Sequence, residues 1–482
     1  MDISLENIEQ YFPENVSEEE KAKIKTLFYK EMALQMHTFY QGKIQTLPKA
    51  GLYGFNWFNV WYTPGVSSVS TTIRDHHDSS FHLSNRSNLV AVVSDSTRVL
   101  GDGDCGPAGG LGVMEGKAYL MKYLAGVDGI ALCVDNRDEN QKPQADKVIE
   151  FVKMLQPSVG AVNLEDISQP DCYKVLDVLR KECHIPVWHD DAQGTACVIL
   201  AGLINALILA DKKIEESRIV LMGAGASNST VAKLLMLTGA DPAKIMLFDK
   251  DGGLHKNRKD IEQDPEFYIQ WGLCQNTNPD CINEIKEGIK GADVLIALSQ
   301  PGPNTVKPEW ISSMNEKAIV FTCANPVPEI YPYAAKEAGA YIVATGRGDF
   351  PNQVNNSLGF PGILKGALLC KARQITDGMA VKAAQSLAEF ARKRDFHADK
   401  ILPLMTEYEV FAQVAADVAM QAIEEKVARI ELTYQEVYDQ TIQDIVNTRK
   451  AVNLLMENQL IKEPPAEMIE NILKQSIAKV VK

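Results

Sequence analysis

RIVLMGAGASNSTVAKLL, residues 218–235, carries the reading from which the rest of the fold follows. Its first half is a continuous apolar run of the kind a buried strand needs, and its second half has the apolar spacing of a helix. Between them stand Gly223 and Gly225. Two glycines here permit a tight turn and let a pyrophosphate approach the helix N-terminus, where free amides and the helix dipole favour an anion. The next strand, KIMLFD (244–249), ends in Asp249, 26 residues beyond Gly223, placed to accept hydrogen bonds from ribose hydroxyls. Strand, turn, helix and acid in this register point to dinucleotide binding. The third glycine of the fingerprint is replaced by Asn228, so looser helix–strand packing and an altered phosphate turn are expected. Ala226, Ser227 and Asn228 at the helix entrance, and Ser299 at the end of ADVLIALS, are counted with Gly223, Gly225 and Asp249 as dinucleotide contacts.

Outward from this unit the alternation continues. Downstream, ADVLIALS (292–299) and AIVFTCANP (318–326) read as further buried strands. Upstream, NLVAVVSDSTRVLG (88–101), GIALCVD (129–135), VGAVNLED (159–166) and IPVWHDD (185–191) read as strands separated by helical patterns, among them MEGKAYLMKYL after a glycine-rich turn. The run ACVILAGLINALILA after Thr195 is shorter than the roughly 20 residues a membrane span needs, and Asn205 interrupts it. It reads as a buried helix. Residues 17–42 are expected to be helical, 51–66 an aromatic-rich loop or short strand, and the tail beyond about 430 helical. The fold class is α/β. An N-terminal α/β substrate domain (1–185) is followed by a doubly wound Rossmann-type NAD(P)-binding domain (186–430) and a helical C-terminal extension (431–482).

With 482 residues, 45% hydrophobic and 23% charged, the chain has ordinary globular composition and length for several domains. A formal net charge of −14 argues against nucleic acid and anionic membranes as partners, since both require clustered Lys and Arg. The nine cysteines are scattered without a CxxC pair, which fits reduced thiols rather than a zinc ribbon or a dithiol redox site. The opening MDISLENIEQYFPENVSEEEK is acidic and lacks the pattern of a secretory signal. A soluble, cytoplasmic protein is expected.

Two strands end in paired acids, Glu165-Asp166 and Asp190-Asp191. Ligands of open α/β sheets bind beyond the carboxyl ends of strands. Carboxylates gathered there repel one another unless a cation neutralises them, and oxygen donors select Mg2+ or Mn2+. Either pair alone reads as ordinary loop acids. RDHHDSSFHL (74–83) also has metal-binding residue types, but without helical or zinc spacing it reads as an exposed polar loop.

At this point the chain resembles the malic enzyme family over roughly residues 37–430. The segments that carry the resemblance are WYTPGV (61–66), LVAVVSDSTRVLGDGDCG (89–106), MEGKA (114–118), VNLEDIS (162–168), IPVWHDDAQGTA (185–196), ANPVPEI (324–330) and NQVNNSLGFPG (352–362). They stand in family order at family-like spacing. The resemblance implies that Tyr62 is the general acid and Lys117 the general base, with Asp190 the acid beside that lysine. Glu165, Asp166 and Asp191 match the metal ligands, and Asn325 and Asn356 the substrate-contacting asparagines. Arg98 matches the substrate-carboxylate arginine of the larger members, where many small bacterial members have none. In small bacterial relatives the tyrosine comes from a neighbouring subunit, and a homodimer or higher homo-oligomer is expected. Taken singly, Tyr62 reads as a packed aromatic, Lys117 as a solvated helix lysine, Arg98 as a surface ion-pair residue and Asn325-Pro326 as a turn. Their joint occurrence overturns those readings.

The activity so implied is oxidative decarboxylation of (S)-malate to pyruvate and CO2, with NAD or NADP as oxidant and Mg2+ or Mn2+ as metal. Its base must be unprotonated near neutral pH, and burial beside a divalent cation is expected to lower the lysine pKa. A guanidinium at Arg98 can pair bidentately with a substrate carboxylate. Asp249 repels a 2′-phosphate whereas Lys250, Lys256 and Arg258 offset it, so the choice of dinucleotide stays open. Two other functions fit parts of the sequence. One is a metal-dependent oxaloacetate decarboxylase or malolactic-type enzyme on the same fold. The other is a non-catalytic dinucleotide-binding regulatory protein, which needs none of Tyr62, Lys117 and the carboxylates.

Overall fold

Strands β1 (Leu89–Ser94), β2 (Asp128–Cys133), β3 (Ala161–Leu164) and β4 (Val187–His189) pair in parallel in the order β2-β1-β3-β4. The computed structural model describes residues 3–481. A parallel sheet covered on both faces needs apolar side chains on both, which is why β1 is a continuous run. Val90 and Val92 face a core shared with Met114, Met121 and Trp188. Ala91 and Val93 face the opposite core, with Val148, Val152 and Leu179. β4 completes this sheet beyond the boundary read at 185/186.

The second sheet contains β5 (Ile219–Met222), β6 (Ile245–Asp249), β7 (Gly252–Gly253), β8 (Val294–Ala297), β9 (Ile319–Thr322) and β10 (Ile342–Thr345), ordered β10-β9-β8-β5-β6-β7. Every pairing is parallel except β6 with β7. Strand order reverses between β5 and β8, the kind of switch point at which open α/β sheets bind ligands. β10 lies in no segment read as a strand. β7 is a two-residue antiparallel edge that apolar patterning cannot signal.

The helix Thr195–Ala210 is apolar on all sides because most of its circumference is buried, with Ile208 the exception. Its one polar interruption, Asn205, is 0% exposed and fully used. The Asn205 amide donates to the carbonyls of Ala388 (3.0 Å) and Ile401 (2.8 Å), and its oxygen accepts from Arg392 (2.9 Å). A π-turn, Asp190–Gly194, runs into this helix and makes a helical segment of 21 residues, long enough by length and composition for a span, yet 78% of its most apolar window lies in the core.

The chain falls into two compact units. Pro48–Val446 carries both sheets, and the other unit gathers residues up to Leu47 with those from Asn447 onward. In the latter, helix Glu18–Tyr40 packs on helix Ala466–Val480 around Ile8, Phe28, Ile472 and Leu473. In the larger unit the aromatic stretch forms a turn, Phe55–Trp57, and a short helix, Phe58–Trp61, rather than a strand.

Candidate active site

The acidic pairs stand where β3 and β4 end. Glu165, Asp166 and Asp191 each offer a carboxylate oxygen within 4.8 Å of the others, the one such gathering of metal-binding side chains among the described residues. Asp166 sits in the left-handed region (φ 54), conformationally costly for an L residue, and this aims its groups inward. Its amide donates to Asp191 Oδ2 at 2.8 Å and its Oδ1 accepts from the Leu100 amide at 3.2 Å. Its other carboxylate oxygen is buried without a hydrogen-bond partner. Burial and then Asp191 push the Asp166 carboxyl up to about 7. Burial lifts Glu165 well above the usual carboxylate range, against the pull of Lys117. Mutually repelling oxygens of this kind, two carboxylates buried and Asp191 half-buried, fit a hard divalent cation such as Mg2+ or Mn2+.

Lys117 comes from helix Leu111–Ala125 and is buried. Its ammonium donates to Asp190, lies 3.0 Å from Glu165 Oε1, and sits 4.8 Å from the centre of the Phe360 ring. Burial acts to lower its pKa, but Asp190, Glu165 and Asp191 together outweigh burial and hold it above its ordinary value. That direction is opposite to the lowered value expected of a base, and the carboxylates are the reason. Asp190 is itself 0% exposed and accepts from Trp188 Nε1 at 3.2 Å. Gly194 leaves the room for this, since a Cβ there would lie 1.9 Å from Asp190 Oδ1.

Three residues expected to meet substrate lie around this cluster. The Arg98 amide donates to the Asp166 carbonyl at 3.0 Å, while its side chain is exposed. The Asn325 carbonyl would be 2.8 Å from a Cβ on Gly101, so the 98–101 loop and the end of β9 touch. The Asn356 Cβ stands 3.5 Å from the Cβ position of Gly194, beside Asp190. Tyr62 is not brought in. It is 69% exposed, and among the described residues no hydrogen bond or ring contact of its side chain reaches the carboxylates. The histidines of RDHHDSSFHL do not converge on a metal site either; His82 faces the Lys371 ammonium at 2.6 Å.

The glycine-rich turn lies at the β5/β8 switch point. Gly223 has φ 94, and a Cβ on it would be 2.4 Å from the Leu298 carbonyl, so only glycine lets the turn meet the end of β8. Asn228 does not loosen the packing as expected. It is 0% exposed, and its amide donates to the carbonyls of Met222 (3.0 Å) and Gly223 (2.9 Å), pinning the turn from within. Ala226 opens the helix Ala226–Leu237, with Gly225 as its N-cap. The Ser227 hydroxyl donates to the Asp191 carbonyl at 2.8 Å, linking this helix to the acidic cluster. Asp249 is held bidentately by Arg258 (3.0 and 2.8 Å), which also pairs with Asp260. Ser299 gives its amide (2.8 Å) and hydroxyl (3.2 Å) to Glu329 Oε1. Sequence reading passed over Glu329, although it stands in ANPVPEI, and Asn163, whose amide holds Glu165 Oε2 at 2.8 Å. A buried carboxylate or amide in an apolar segment is the only signal either one offers.

Comparison with known proteins gives a consistent result. The family models described as malic enzyme, N-terminal domain, and malic enzyme, NAD binding domain, match residues 41–180 and 192–423. The crystal structure of Entamoeba histolytica malic enzyme superposes with TM-score 0.97 at 59% identity, covering 99% of each chain. The NAD-dependent malic enzyme of Geobacillus stearothermophilus is 41% identical over 80% of this chain and 78% of its own. The bifunctional malic/malolactic enzyme of Bacillus subtilis is 39% identical over 86% of this chain and 97% of its own.

Proposed function

The chain belongs to the malic enzyme family, and from that membership we infer how its own residues act on malate. It is an oxidoreductase that converts (S)-malate to pyruvate and CO2 with reduction of NAD or NADP. The observation that carries the residue assignment is the buried Lys117–Asp190 pair directly beside the three convergent carboxylates.

The dinucleotide supplies the hydride acceptor, and a divalent cation on Glu165, Asp166 and Asp191 supplies Lewis-acid stabilisation of negative charge developing on oxygen. Lys117 takes the proton of the malate C2 hydroxyl, and Asp190 holds the lysine nitrogen in place. A cation bound to the three acids would weaken the pull of Glu165 and Asp191 on the Lys117 ammonium, leaving Asp190 to oppose burial, which favours the neutral amine. Arg98 pairs with a substrate carboxylate, while Asn325 and Asn356 orient the substrate. Tyr62 donates a proton to C3 after CO2 has left.

Tyr62 lies in a segment where Tyr53 is 76% and Phe55 82% exposed, an apolar surface that monomers rarely leave open. We infer that the enzyme is a soluble, cytoplasmic homo-oligomer in which a second copy covers this segment and takes Tyr62 into its own site. The activity is tested by incubating the protein with malate, Mn2+ and each dinucleotide in turn. Equal amounts of pyruvate and reduced nicotinamide are expected. Lactate without net reduced nicotinamide would establish a malolactic enzyme instead, and turnover of oxaloacetate alone a decarboxylase.

A further inference from the structure

Glu329 follows β9 in the segment ANPVPEI and is 0% exposed. The groups that act on its carboxylate are hydrogen-bond donors, not cations. Oε1 accepts from the Ser299 amide at 2.8 Å and the Ser299 hydroxyl at 3.2 Å, and Oε2 accepts from the Ala324 amide at 3.1 Å. Ser299 lies just beyond the end of β8, and Ala324, next to Asn325, just beyond the end of β9. One buried carboxylate therefore spans two neighbouring strand ends at the ligand side of the sheet.

The sheet does not require this bridge. β8 and β9 already pair over four residues, from Val294 with Ile319 to Ala297 with Thr322. Burying a carboxylate is costly unless donors compensate it, and here every donor comes from the two loops beyond the strands. The ordering so obtained falls on the loops. We propose that Glu329 is a positioning residue that locks the Ser299 and Asn325 loops into one arrangement, so that dinucleotide and malate are held at fixed geometry to each other. The proposal rests on the reading of Ser299 as a dinucleotide contact and Asn325 as a substrate contact. Its chemistry is specific to a carboxylate. Glutamine in its place presents an NH2 group to an amide N–H, two donors facing each other.

The test measures Glu329→Gln for dissociation of the reduced dinucleotide by nicotinamide fluorescence, for malate KM and kcat, and for melting temperature. Both ligand constants are expected to rise roughly five- to tenfold. The dinucleotide effect is expected to shrink when Ser299→Ala is already present, because the two residues act as one unit. A purely structural role would lower the melting temperature and leave both constants alone, and that result overturns the proposal. Ser299→Ala and Asn325→Ala are measured alongside. If each weakens its own ligand while Glu329→Gln changes neither constant, the site reading stands and the positioning role falls. If neither changes its ligand constant, the site reading falls and takes the positioning role with it. Should Glu329→Gln fail to fold, Glu329→Asp, which keeps the charge on a shorter stem, is read on the same constants, and unchanged values overturn the proposal.

Discussion

The Ser227 hydroxyl donates to the backbone carbonyl of Asp191 at 2.8 Å, so the first turn of the helix behind the glycine-rich loop is tied to a residue of the acidic cluster. The tie uses the main chain of Asp191 and leaves its carboxylate free for the Asp166 amide and for a cation. The proposed dinucleotide and metal sites therefore share a scaffold without sharing a ligand atom, and substitution can separate them.

Asp191→Asn keeps the backbone carbonyl and removes one anionic donor. Mn2+ affinity is expected to fall at least about tenfold, since even outer partners of a metal site cost that much. Dinucleotide affinity is expected to hold within about twofold, because Ser227 keeps its acceptor. Titration of each ligand separately, by calorimetry and nicotinamide fluorescence, reads the split. Unaltered Mn2+ affinity would remove Asp191 from the ligand set.

Lys117 and Tyr62 are separated by comparing two reactions. Malate oxidation requires removal of the C2 hydroxyl proton, whereas added oxaloacetate has none to lose. Lys117→Ala is expected to slow malate oxidation by about 10²–10⁴-fold and oxaloacetate decarboxylation far less. Tyr62→Phe is expected to slow both, because protonation at C3 is common to them. Equal loss of both activities in Lys117→Ala, with decarboxylation spared in Tyr62→Phe, would reverse the assignment.

The exposure of Tyr62 makes a second test possible. If it serves the site of a neighbouring copy, mixing and reassociating inactive Tyr62→Phe and Lys117→Ala chains creates sites with one intact residue from each. In a symmetric dimer with random pairing, about a quarter of wild-type activity is expected to return. No recovery, with exchange of subunits verified, would place Tyr62 in its own chain's site.

Asp377 joins layers of the larger unit. It pairs with Arg180 of helix Asp171–Glu182 and with Lys233 of helix Ala226–Leu237. Burial raises the Asp377 carboxyl, but Arg180 and then Lys233 outweigh burial and hold it below its ordinary value. A carboxyl depressed in the folded state adds stability above its unfolded pKa, about 3.9, and that stability is lost as pH falls through the folded value. Asp377→Asn is expected to lower the melting temperature at pH 7, by about 1–2 kcal/mol of stability, and the gap is expected to close in acid below about pH 4. A difference from wild type that stays constant between pH 7 and pH 3 would contradict this.

Much of the larger unit was legible from local pattern. β5, β6, β8 and β9 are apolar runs, and each lies within the segment read for it. The buried helix after Thr195 was readable because a run apolar on every side marks a core helix. Asn228 misled because a missing fingerprint glycine suggests poorer packing. Its amide instead satisfies two strand-end carbonyls that a glycine would leave to other donors.

The sequence by itself determined the α/β class, the dinucleotide unit and the family, because strand and helix periods and short motifs are properties of neighbouring residues. Only the tertiary structure decided which acids share a site, that Lys117 is held charged by them, that Arg258 occupies Asp249, and that Glu329 bridges two strand ends. It also decided that Tyr62 stands in the open. The physical reason is range. Lys117 and Asp190 are 73 residues apart and Ser227 and Asp191 are 36 apart, and burial and charge act through space between residues that no local pattern relates.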